Sequence, residues 1–214
     1  MSRQKNRAYL EALRFVENFG ALLTFPMNNK KEPRSLWQCF YPRTPLVWEW
    51  DDDGDTKVFQ MWALREELSR SSKVVYGKFY KGRATFFSRN HFASLLAVAK
   101  PWERREKYKY GPEADILNAL EDNSPLSTKE LKRTALLQGK RMESTYQKAM
   151  KNLWKDLLIV GFGEKDEGAF PSLQMGATQI LFEDLWKEAK RLDPPKGELD
   201  PISREIIKQI TTSG

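Results

Sequence analysis

Apolar side chains recur along this chain at intervals that switch between three-to-four and two, and the switches mark out its elements. Leu10, Leu13, Val16 and Phe19 repeat at helical spacing and predict a helix over Arg7–Asn18, ended by Gly20. Ala21–Phe25 is a short extended run closed by Pro26, and Asn28–Pro33 is a polar loop. Ser35 is placed to cap a short helix through Leu36, Trp37 and Phe40, stopped by Pro42. Leu46–Trp50 alternates weakly as a strand leading into the acidic turn Asp51–Asp55. Val58, Met61, Trp62, Arg65 and Leu68 mark the faces of a helix over Thr56–Ser69. Val74–Tyr80 and Arg83–Phe87 flank Lys81-Gly82 and predict a hairpin. Ser88 then caps a helix carrying Phe92, Leu95, Leu96 and Val98; Pro101 closes it, and Trp102–Tyr110 reads as a charged linker.

The second half has a more telling order. Pro112 starts a helix to about Asp122, and Ser127-Thr128-Lys129-Glu130 supplies a capping box for the next one. Gly139 breaks the chain before a long basic helix, about Met142 to Leu157. Leu157–Phe162, the polar turn Glu164–Gly168 and Phe170–Met175 then make a second hairpin. Three helices followed by a hairpin are the order of a winged helix-turn-helix. Thr178–Leu192 predicts a further amphipathic helix, and Asp193–Leu199 a proline-interrupted linker. In a last helix after Asp200-Pro201, Ile202, Ile206, Ile207 and Ile210 line one face. The expected fold is α+β and mostly helical. A mixed helix and β-hairpin subdomain (1–100) is joined through a linker (101–110) to a winged-helix subdomain (111–192), with a linker and packing helix at 193–214.

Composition narrows the function. The 214 residues carry 36 Lys and Arg against 29 Asp and Glu, a net charge of +7, which favours polyanionic partners without making a polycationic tail. A single cysteine, Cys39, excludes an internal disulfide and a cysteine zinc site, and His91 is the only histidine, so no metal site and no cofactor are expected. The opening segment lacks the apolar stretch of a signal peptide, and the longest apolar runs fall short of a membrane span. A cytoplasmic protein, more readily a monomer than a dimer, with double-stranded DNA as partner, is the expectation.

On the long helix, Met142, Tyr146, Ala149, Met150, Leu153 and Leu157 would face the core. Arg141, Ser144, Thr145, Lys148, Lys151, Asn152 and Lys155 fall on the other side, with Lys140 at the start; these types suit phosphates and base edges. The competing reading is a solvated lysine face on a core helix. The wing Glu164–Gly168 is acidic and unsuited to gripping phosphate. The first hairpin offers Lys73, Lys78, Lys81, Arg83 and Arg89 instead, interleaved with Tyr76, Phe79, Tyr80, Phe86 and Phe87. Those aromatics are better read as core.

The stretches LWQCFYP (36–42), WEWDDDGDTKVFQMWALREEL (48–68), VVYGKFYKGRATFFS (74–88), GPEADILNALEDNSPLSTKELKR (111–133) and NLWKDLLIVGFGEKDEG (152–168), in this order, resemble proteins related to the AlkZ-type DNA glycosylases. The resemblance spans about Leu10 to Met175. Those bacterial enzymes are built from tandem winged-helix units and excise alkylated bases or open interstrand crosslinks, so the resemblance implies such a fold and a DNA-repair context. Their glutamine–apolar–glutamine motif is absent here: Gln60 and Gln174 each lack the second glutamine. Should catalysis occur, the pocket candidates are Asp53, Asp55, Gln60 and Tyr76. Asp51, Asp52, Asp53 and Asp55 could bind a cation but read better as a turn favouring the following helix start. DNA binding leads, with a glycosylase acting on alkylated bases and a protein-interaction module as alternatives.

Overall fold

A computed structural model describes residues 3–48, 56–168, 171–193 and 199–212. The first half runs α1 (Arg3–Phe19), β1 (Ala21–Leu23), α2 (Leu36–Phe40), α3 (Lys57–Arg70), β2 (Val74–Tyr80), β3 (Arg83–Ser88), α4 (Arg89–Ala99) and α5 (Pro101–Arg105). Helices α2, α3 and α4 start where short polar side chains satisfy the first free N–H groups. Ser35 and Gln38 form a reciprocal capping box on α2, Thr56 accepts from Phe59 N on α3, and Ser88 accepts from His91 N on α4. Leu46–Trp48 is not the expected strand. Leu46 is held by both its backbone groups to the Asn29 side chain, at 2.7 and 3.1 Å, which uses up the polar groups a ladder needs. Glu49 and Trp50 lie outside the described residues. Pro101 closes α4 and also opens α5, after which Arg105 binds Glu121 and Asn118 of the next helix.

The second half continues with α6 (Pro112–Asp122), β4 (Leu126–Ser127), α7 (Thr128–Thr134), α8 (Lys140–Lys155), β5 (Ile159–Lys165), β6 (Ser172–Ala177), α9 (Thr178–Leu181), α10 (Glu183–Ala189) and α11 (Pro201–Thr211). The Ser127/Glu130 capping box opens α7 as its spacing implies. The helix expected over Thr178–Leu192 is two pieces: Phe182 takes φ −129° to bury its ring, and this breaks the helical run. Asp200 caps α11, its carboxylate accepting from Ile202 N and Ser203 N.

Among the described residues all six strands join one antiparallel sheet in the order β1-β3-β2-β5-β6-β4. The two hairpins meet through one residue pair, Tyr76 opposite Gly161. Glycine is required there because a Cβ on residue 161 would stand 2.4 Å from the Tyr76 ring. Alternation along the strands then sorts the core into two layers. Leu23, Val75, Phe79, Phe87 and Val160 pack with α4, α6, α8, α10 and α11; Leu22, Tyr76 and Phe86 pack with α1, α2 and α3. Both outer strands are short, β1 with three residues and β4 with two, and Leu23 makes a parallel bridge to Ser35 beyond β1. No helix among the described residues is long and apolar enough to cross a membrane.

Candidate nucleic-acid interface and the Arg65 cleft

Helix α8 divides as its sequence implies. Tyr146, Ala149, Met150, Leu153 and Trp154 are buried, Met142 is partly buried, and Leu157 is buried just past the helix end. Lys140, Arg141, Ser144, Lys148 and Lys151 are exposed, and Thr145 and Lys155 half-buried. Among the described residues none of these five cations has an ion-pair partner. Asn152 is engaged, donating to Glu113 at 2.8 Å, while Glu143 is taken up by Lys132 at 2.7 Å and Gln147 at 2.9 Å. The exposed face therefore presents cations with hydroxyls between them, and the Glu143 carboxylate on the same helix is already paired with Lys132.

The acidic end of β5 is fastened to neighbouring elements, while Asp166 in the turn after it stays exposed. Glu164 pairs with Arg65 of α3, Arg70 donates to the Glu164 carbonyl at 2.6 Å, and Gly163 N donates to Ser69 at 3.2 Å. Lys165 pairs with Glu130 and, at 3.5 Å, with Glu167. The Glu164 charge that disfavours phosphate is thus spent on holding this hairpin to α3, and Lys165 ties it to α7.

Lys78 and Arg83 lie apart from the α8 residues, and Lys81 is engaged by α11. Lys81 is bonded to Glu205 at 3.2 Å and lies over the Tyr80 ring. Lys78 and Arg83 border a cleft of about 670 Å³ on the α1–α3 side of the sheet, whereas α8 covers the other side. The cleft has aromatic walls, with Phe25 5.0 Å from Trp48 and 5.6 Å from Trp62 between ring centroids. Arg65, only 4% exposed, lies at its base: it donates to the Tyr76 hydroxyl at 3.1 Å, pairs with Glu164 and stacks over Trp62 at 4.3 Å. Burial pushes the Tyr76 phenol above its ordinary range, so it is neutral at physiological pH. Although Lys78 is exposed overall, burial over the cleft and then the Arg65 charge pull its amine below the ordinary lysine range, with Glu164 opposing. Arg65 was legible only as a mark on a helix face. Its near-complete burial depends on the distant Glu164, which no local pattern announces.

The other candidates scatter. Gln60 is exposed on the first turn of α3 and accepts from the Tyr41 hydroxyl at 3.2 Å, apart from the Tyr76 cluster. Asp51, Asp52, Asp53 and Asp55 lie outside the described residues. His91 meets Asp200 at 2.5 Å and Ser203 at 3.2 Å, both through Nε2. A nucleophile relay needs the serine and the carboxylate on opposite ring nitrogens, so these three residues clamp α11 to α4 and do not form a triad. Burial alone would push the Asp200 carboxyl up, but the hydrogen bonds from His91 and Ser203 outweigh it and hold it below the ordinary range.

Residues 6–199 match a family model described as AlkZ related. No curated protein and no solved structure matches the chain.

Proposed function

The chain belongs to the AlkZ-related family, and from that premise we propose that it binds double-stranded DNA in a DNA-repair setting through the exposed face of α8. Residues 111–192 serve in this reading as a winged helix-turn-helix: α6, α7 and α8 are the helices, α8 enters the groove, and β5–β6 is the wing. The observation that carries it is the amphipathic split of α8, with Lys148 and Lys151 exposed and without an ion pair among the described residues on one side and a buried stripe on the other. Because the wing is fastened to α3, phosphate contact falls to the helix and the chain around it.

Replacing Lys148 and Lys151 with glutamate tests this reading, since both side chains stand clear of the core. Duplex affinity should fall at least about tenfold at moderate salt while the melting temperature holds. The slope of log affinity against log salt should become shallower by about 1.8, from two lost phosphate contacts. Unchanged affinity in the folded double variant removes α8 from the interface.

A second reading, base excision, draws on the Arg65 cleft, whose aromatic walls and neutral Tyr76 phenol could take a planar ring. The glutamine pair of the glycosylases is missing, and the expected result is no release of alkylated base above background. Release of free base from a methylated duplex, lost on Tyr76→Phe, would favour excision instead.

A further inference from the structure

The two most exposed large apolar side chains among the described residues stand at opposite ends of α8. Leu136 is 85% exposed and lies in the α7–α8 turn, four residues before Lys140. Tyr110 is 91% exposed and lies three residues before Glu113, whose carboxylate holds Asn152 near the other end of the helix. At 1.5 Å per residue the 16-residue helix puts about 24 Å between its ends.

Leu136 is costly where it is. Hydrogen bonds from Leu136 N to Arg133 O and from Leu137 N to Lys132 O close the end of α7, and they place Leu136 at φ +56°, where glycine is favoured. Its neighbours Ala135 and Leu137 are buried, so the turn is pinned and the leucine is held outward. A branched apolar chain in the left-handed region, fully in water, gains nothing from its own fold.

The surroundings identify the occupant. Arg133, Lys140 and Arg141 flank Leu136, and Lys107 and Lys109 flank Tyr110; all five are exposed and without an ion pair among the described residues. Apolar tips set in unpaired cations suit a polyanion whose apolar faces become reachable when its bases part. Building on the proposed DNA binding, we propose that Leu136 and Tyr110 insert against unstacked bases at the two ends of the α8 footprint. They would make the protein favour duplexes with a weakened base step over fully paired ones.

The test uses the full chain with two duplexes, one fully paired and one carrying two mismatches about seven base pairs apart, each beside 2-aminopurine. The expected result is tighter binding to the mismatched duplex, with a rise in 2-aminopurine fluorescence as the bases leave the stack. Leu136→Gly should cut that rise by about half and weaken mismatch binding about tenfold. It should also raise the melting temperature, because glycine relieves the backbone at φ +56°. Tyr110→Ser should weaken mismatch binding likewise. Loss of binding in a more stable variant cannot come from a merely structural role. If Leu136→Gly binds and fluoresces as the parent does, the inference is overturned while the α8 reading stands. Binding by the parent without a fluorescence rise also overturns it and assigns the apolar tips to a protein surface. Failure of the parent to bind either duplex overturns the DNA reading itself.

Discussion

Arg65 shows how much one side chain can organise. Its guanidinium satisfies the Tyr76 hydroxyl and the Glu164 carboxylate at once, and those two residues belong to strands from different halves of the chain. Truncating it leaves an acidic group and a phenol without their donor in a largely dry place. Arg65→Ala should therefore cost about 3 kcal/mol, the scale for breaking one side of a buried ion pair, read from chemical denaturation. A loss below about 1 kcal/mol would mean that water reaches Glu164 and replaces the guanidinium. Pairing the change with Glu164→Leu should recover part of the loss, because the orphaned charge is then gone.

Elements whose cause is local were legible in the sequence. Ser35, Ser88, Ser127 and Asp200 each cap the helix that their neighbours imply, because a cap needs only a side-chain oxygen two or three residues from a free N–H. The halves of the α8 surface were legible for the same reason, through the helical repeat. Features that depend on distant partners were not: the break at Phe182 answers to ring burial, and the joining of β2 to β5 depends on Gly161 yielding space to Tyr76. The Ser127/Glu130 box adds a long-range partner to a local device. Lys165, with the Ser127 backbone N–H, pulls the Glu130 carboxyl from its ordinary 4.5 down to about 2. A lowered carboxyl stabilises the fold above its unfolded value and ceases to as pH falls through its folded one. The box should thus lose its contribution between about pH 4.5 and 2. Glu130→Gln removes the charge and keeps one acceptor oxygen, enough for the Ser127 N–H but not for Lys165 as well; it should lower the melting temperature at pH 7 and come closer to the parent as pH falls toward 2. A constant difference across that range would exclude the Lys165 pairing.

The whole molecule is bound together by one sheet and by the return of its last helix. Ile202, Ile206 and Ile210 of α11 are buried, Ile207 is half-buried, and the His91–Asp200 contact fixes the helix start. Ending the chain before Asp200 should cost about 6 kcal/mol, from three isoleucines at about 2 kcal/mol each, and broaden the thermal transition. A truncated protein as stable as the parent would show that α11 is a removable appendage. Light scattering on both forms separates self-packing from assembly: a full-length dimer and a truncated monomer would make the helix a subunit contact. The brevity of the outer strands has a separate consequence. A sheet recruits a stranger through unpaired backbone groups on its flanks, and here one flank offers three residues, already bridged to Ser35, and the other two. Copies of this chain pressed against one another would find almost no ladder along which to zip into fibres.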